Sequence, residues 1–193
     1  MGKKDKDHLI KIGQELFNTQ GYYNTGTEQI LQKADYPRSS FYHHFKSKEG
    51  FAAKVLEHYG NNAEQNYNSV LTDEKLGSPL MRLKILTSLM VDSLKKHSFN
   101  MECLIQKFSI ECAANSDFLR ESTNQQMNKV LNTIKDCIIL CQAENKIRTD
   151  IEAIKLAEFF QAQWYGAYIL GRLQKDVSVF ETNMNMAFSY LEG

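Results

Sequence analysis

Apolar residues recur three and four positions apart along nearly the whole chain, whereas two-residue alternation bounded by turn pairs is hard to find. The pattern is helical. Leu9, Ile12, Leu16 and Phe17 form one face from His8 onward, and Gly21 can end that helix as a C-cap. Thr25-Gly26-Thr27-Glu28 has the spacing of a capping box and predicts a short helix over about 26–33 that carries Ile30 and Leu31. Pro37 suits the first position of a third helix, about 37–43, because its missing N–H would be unpaired there anyway. Ser47 can cap a long fourth helix running through Phe51, Val55, Leu56 and Tyr59 towards Leu71. Ser78-Pro79 repeats a cap-plus-proline start ahead of Leu80, Leu83, Leu86, Leu89, Met90 and Leu94. Helices over about 101–114 and 117–144 follow. Thr149-Asp150-Ile151-Glu152 and Ser178-Val179-Phe180-Glu181 read as two more capping boxes, opening aromatic-rich helices over about 150–173 and 178–191. The expected fold is all-α, with about nine helices and no sheet.

Composition narrows the class. The 193 residues are 42% hydrophobic and 24% charged, which excludes a disordered chain and suffices for a sizeable core. Lys plus Arg equal Asp plus Glu at 23 each, so a uniformly basic protein is excluded. No apolar run approaches the roughly 18–20 residues of a membrane helix, and the charged start Met-Gly-Lys-Lys-Asp-Lys-Asp-His lacks a secretion signal. A cytoplasmic protein without membrane contact is expected. Four cysteines are too few for a disulfide scaffold, and none forms a CxxC pair, so neither a metal site nor a cofactor is expected. The charge is unevenly placed. Residues 1–60 hold 9 Lys and Arg against 7 Asp and Glu, and four of the five histidines. Between Tyr36 and Lys54, Arg38, Lys46, Lys48 and Lys54 face only Glu49, a mild bias towards an anionic partner.

Two short helices separated by a three-residue turn and preceded by a longer one make a helix-turn-helix, whose second helix can enter the major groove of DNA. In Pro37-Arg38-Ser39-Ser40-Phe41-Tyr42-His43-His44-Phe45, the two phenylalanines share a face and can anchor the helix on Phe17 and Ile30. Arg38, Ser39, Tyr42 and His43 then point outward. Arg38, in the first turn, can grip a guanine edge bidentately, while hydroxyls and imidazoles can serve bases or phosphates. Ser47 and Lys48 begin the next helix, whose free N–H groups suit a phosphate. The candidate DNA-binding residues are Thr27, Arg38, Ser39, Ser40, Tyr42, His43, His44 and Lys48. His43 and His44 are adjacent, so they do not share a helical face as a metal pair would.

Over these residues the chain resembles the TetR family of transcriptional repressors. The matching text is Leu16-Phe17, Gly21-Tyr22, Thr25-Gly26-Thr27, Ile30 and Ala34 to Glu49, in which Tyr42 to Glu49 reproduces the family's Tyr-x-His-Phe-x-Ser-Lys-Glu string. The resemblance implies a DNA-binding domain over 1–50 and a helical regulatory and dimerisation domain over 51–193. It also implies a homodimer on a palindromic or near-palindromic operator, and a small-molecule effector that releases it. The chain departs at the turn, which reads Ala34-Asp35-Tyr36 where the family usually has Ala-Gly-Val, and at Arg38-Ser39, where it often has Lys or Gly. Asp35 can take up the left-handed conformation at some cost, and Tyr36 would shift the turn slightly.

The last two helices carry more apolar and aromatic area than a surface helix needs. Phe160, Phe180, Met184 and Phe188 are the candidate dimer interface. The resemblance places an effector pocket among the middle helices, for which Met90, Phe99, Cys103, Phe108, Trp164, Tyr165 and Tyr168 are the candidate lining. Met101-Glu102-Cys103-Leu104-Ile105 is similar to a Gly-Cys-Leu-containing subgroup, some of whose members respond to oxidants or electrophiles through thiols; Cys103 is therefore an alternative sensor. Cys137 and Cys141, four apart on a helix, can approach a common ligand but are poorly placed for a disulfide. No catalytic residues are expected, since no Ser/His/Asp, Cys/His or paired-carboxylate arrangement can be placed. A helical small-molecule carrier or enzyme without a DNA role stands as the alternative from another class.

Overall fold

The computed structural model describes residues 5–97 and 103–193. Among them are nine α-helices and one 3-10 turn, with no strand: α1 Lys6–Gln20, α2 Thr27–Lys33, α3 Arg38–Phe45, α4 Lys48–Leu71, the turn Glu74–Leu76, α5 Pro79–His97, α6 Leu104–Glu111, α7 Asp117–Ala143, α8 Ala153–Gln174 and α9 Val177–Glu192. The chain forms two compact units. The first joins Met1–Asn62 to Glu102–Met127, so α6 and the start of α7 belong with the first three helices. The second joins Ala63–Met101 to Asn128–Gly193, and within it α8 and α9 make the most extensive helix pairing.

The first unit is built on rings. Phe17, Phe41 and Phe51 are fully buried together with Leu9, Ile30 and Leu56. Gly13 lets α1 approach α4 closely, since a Cβ there would lie 2.5 Å from the Phe51 ring. Phe108 of α6 packs edge-on to Phe17 at 5.5 Å and against Tyr22 at 5.6 Å. The second unit has its own aromatic centre, where Trp164 meets Phe180 at 5.3 Å and Phe160 at 6.0 Å.

Several helix starts differ from the expected ones, for local reasons. Thr25 is buried and donates its hydroxyl to the Gly21 carbonyl at 2.6 Å, so Gly26 is the N-cap of α2. Its N–H is met by the Gln29 side chain at 3.4 Å, and Glu28 is left for another task. Pro37 is the N-cap of α3 rather than its first residue. The Thr149–Glu152 box does not form: Glu152 caps α8 without a side-chain bond. Gln142 instead fastens that loop, donating to the carbonyls of Arg148 (3.0 Å) and Ile151 (2.9 Å). At α9 the cap is Asp176, which accepts from the Ser178 N–H at 2.9 Å, so Ser178 lies inside the helix. The Ser47 and Ser78 caps form as expected, accepting from Gly50 (3.0 Å) and Met81 (3.3 Å). No described helix is long and apolar enough to cross a membrane.

Candidate nucleic-acid interface

The turn between α2 and α3 sets the site. Asp35 has φ 45°, in the left-handed region. Around it the N–H groups of Asp35 and Tyr36 donate to the carbonyls of Gln32 (3.3 Å) and Leu31 (2.9 Å). This is the double bond of a Schellman ending, with aspartate where glycine is usual. Tyr36 is buried in the core rather than pushed outward, so its bulk is absorbed beneath the turn.

α3 divides its faces cleanly. Phe41 and Phe45 lie inward, 5.2 Å and 5.0 Å from the Phe51 ring. Arg38, Ser39, Tyr42, His43 and His44 are exposed, and Ser40 and Thr27 are half-buried. The Arg38 guanidinium stands 5.5 Å from the Tyr42 ring centre and is ion-paired to Glu28 at the start of α2. Glu28, in the position of a capping-box glutamate, is engaged by Arg38 and not by the cap. Its position means that an incoming anion must compete for Arg38, although so exposed a pair holds weakly.

A cationic cluster occupies the far end of α3. The Lys46 ammonium donates to the His43 carbonyl at 2.8 Å, and the His43 and His44 rings are 5.0 Å apart. His44 is held below the usual histidine range by lost solvation and by the charges of Lys6, His43 and Lys46. A phosphate arriving there would relieve that repulsion. Lys48 has a second occupation: its ammonium lies 4.2 Å from the Tyr22 ring centre, and burial lowers its pKa.

Behind this face, α6 clasps the end of α1. Glu111 accepts from the Tyr22 N–H at 2.7 Å, and Lys107 donates to the Asn18 carbonyl at 2.5 Å. Cys112 is buried there, its thiol pushed up to about 12 by burial and the nearby Glu111, which favours the neutral thiol.

A recognition-type helix with a buried aromatic anchor and an exposed Arg/Ser/Tyr/His face has counterparts in known proteins. Residues 9–55 match the family model "Bacterial regulatory proteins, tetR family", and residues 79–187 match "Tetracyclin repressor-like, C-terminal domain". The chain belongs to the TetR family. Among curated relatives of this TetR chain is the HTH-type transcriptional repressor DhaR of Mycobacterium sp. (strain GP1), 28% identical over 96% of the chain and 91% of the relative. Among solved structures, the regulatory protein TetR from Rhodobacter sphaeroides superposes with a TM-score of 0.83 at 25% identity, covering 96% of this chain and 98% of that one. The reduced form of NemR from E. coli gives 0.87 at 22% identity, with 96% of both chains covered. These relatives are transcriptional regulators, and this TetR-family chain is a DNA-binding transcriptional regulator rather than an enzyme.

The residues expected at a subunit surface and in a ligand pocket fall in several different places. Phe160, Phe180, Met184 and Phe188, assigned to a subunit surface, are at most 6% exposed and fill the second unit's core. Met184 and Phe188 also line a groove of about 540 Å³ between α5 and α9, with Lys84, Thr87 and Glu181. The exposed apolar stripe of α8 is instead Ile169, Leu170 and Leu173, beside exposed Ala162 and Gly166, and α9 adds Met186 and Tyr190. Phe108, assigned to a ligand pocket, is core in the first unit. Cys103, half-buried, is the N-cap of α6 in that same unit. Phe99 lies outside the described residues. Trp164 and Tyr168 are buried on α8, and Tyr165 and Met90 are half-buried. One residue was overlooked: Gln161, on the Trp164 and Tyr168 side of α8, is 4% exposed and its Oε1 has no hydrogen-bond partner. The sequence did not single it out, since Gln163 stands two residues further on in the same aromatic run.

Proposed function

We propose that this chain is a cytoplasmic homodimeric repressor that binds a palindromic or near-palindromic operator through α3 and is released by a small-molecule effector. The observation that carries the reading is the split face of α3, with Phe41 and Phe45 anchored inward and Arg38, Ser39, Tyr42 and His43 presented outward. In this reading Arg38 leaves Glu28 for a guanine edge, and Ser39 and Ser40 face the groove. Thr27, Tyr42, His43, His44 and Lys48 hold phosphates. DNA binding resides in residues 1–50, and regulation and dimerisation in 51–193.

The stripe of Ile169, Leu170, Leu173 and Met186 supports pairing of α8 and α9 with a second copy. Leu173 and Met186 are 76% and 67% exposed, which costs hydration free energy in an isolated chain. Two-fold symmetry then sets the α3 helices about 34–36 Å apart, one turn of DNA. The orphan Gln161 oxygen, on the same helix as Trp164, Tyr165 and Tyr168, supports an effector that is largely flat and apolar and offers one donor. By linkage, operator DNA weakens effector binding by the factor with which the effector weakens DNA binding.

The test is a gel shift on the DNA upstream of the chain's own gene, followed by site selection from genomic fragments. Retardation that resists competitor DNA and fades steeply with salt is expected. Failure of both searches would overturn the reading.

A further inference from the structure

Arg82, Cys137 and Cys141 form a buried cluster in the second unit, outside the residues proposed above for DNA and effector. The cysteines stand four apart on α7, which puts their Cβ atoms about 5–6 Å from each other on one face. They are 3% and 0% exposed. Cys141 is hydrogen-bonded to Cys137, and the Cys137 thiol donates to the Pro79 carbonyl at 3.3 Å. Arg82, reaching in from α5, acts electrostatically on both sulfurs. It is 5% exposed and its Nε–H has no partner. Buried cysteines commonly pack as small hydrophobes. That role leaves the Arg82 Nε–H unexplained, because buried donors are nearly always paired. A thiolate beside it would supply the missing acceptor.

We propose that Cys137 and Cys141 form a two-coordinate site for a soft monovalent cation of the Cu(I) or Ag(I) kind, with Arg82 as its buried counter-charge. Ligand type, ligand number and net charge each favour this class. Thiolates are soft donors and select such ions. Among the described residues no group of three or more His, Cys, Asp or Glu could hold a metal, so an ion needing three or four protein ligands, such as Zn(II), is not served. A monovalent cation between two thiolates carries one net negative charge, which Arg82 neutralises. A divalent ion would leave the guanidinium charge buried and uncompensated. Glu144, the carboxylate that also acts on Cys141, is exposed and solvated. In the binding step two S–H bonds break, two metal–sulfur bonds form, and two protons leave for solvent. No oxidation state changes.

The experiment titrates reduced full-length protein, without oxygen, into the Cu(I)–bicinchoninate complex and follows loss of the chelate colour. One Cu(I) per chain is expected to transfer, with two sulfur neighbours in copper-edge X-ray absorption. A Cys103→Ser/Cys112→Ala variant should take up the same single equivalent. Cys137→Ser and Cys141→Ser should each lose it. Arg82→Gln, which keeps both ligands, should weaken uptake about 10–100-fold. Circular dichroism melts accompany every variant, and only folded variants are compared. No transfer to the folded wild type, loss of uptake in the Cys103/Cys112 variant, or three or more copper neighbours would overturn the proposal.

Discussion

Asp35 holds the left-handed position on which the angle between α2 and α3 depends, and it does so against its own preference. An L-residue there costs roughly 1–2 kcal/mol, with aspartate at the lower end of the penalty. Glycine would remove that cost while adding entropy to the unfolded chain, worth about 0.4–1 kcal/mol in the other direction. Asp35→Gly is therefore expected to stabilise the protein by up to about 1 kcal/mol in urea unfolding; a clear loss of stability would show that the aspartate side chain contributes more than its backbone costs. Glu28 is the second telling residue. Paired to Arg38, it holds a negative charge against the face offered to DNA. Removing one unit charge at contact distance in water is worth about 1 kcal/mol. Glu28→Gln should thus tighten DNA binding about fivefold in an anisotropy titration, and unchanged affinity would mean that Arg38 does not approach phosphate or base.

Helix existence was legible from the spacing of apolar residues, because a period near 3.6 is written wherever one face is buried. Helix starts were less so. The Thr25-x-x-Glu28 spacing misled because Thr25 is buried one residue ahead of the helix with its hydroxyl donated to the Gly21 carbonyl, which leaves Gly26 as the N-cap, and the Ser178-x-x-Glu181 spacing because Asp176 reached the cap first. Such competition depends on neighbours that a spacing rule does not see. Burial by type was legible for Phe41 and Phe45, but which side of α8 and α9 faces solvent was not, since both sides are apolar. That ambiguity put Phe188 among the expected interface residues, although the fold buries it, and left Leu173 unnoticed. The two residues now make opposite predictions. Phe188→Ala should cost about 3–5 kcal/mol of stability, as aromatic truncation in a core does. Leu173→Arg should leave the helical circular dichroism of the chain intact while light scattering falls to the mass of one chain, with melting lowered only by the loss of association. A dimer that survives Leu173→Arg would place the subunit contact elsewhere.

The whole molecule carries equal numbers of acidic and basic residues, so attraction to DNA must come from a local face rather than from overall charge. That face was the most readable part of the chain, because a docking helix constrains several consecutive positions at once. The effector region was the least readable: its residues are chosen for packing as well as for ligand, and the orphan Gln161 oxygen shows only in three dimensions. Sequence-selective binding through α3 is the central claim, and one measurement bears on it most directly. An operator obtained by site selection and a scrambled copy of it are titrated, across a salt series, with wild-type protein and with Arg38→Ala. The wild type should prefer the operator at every salt concentration. Arg38→Ala should lose about 1–3 kcal/mol of that preference while keeping most of its affinity for the scrambled copy. Equal binding of both DNAs by the wild type, or a preference that survives Arg38→Ala intact, would contradict the account.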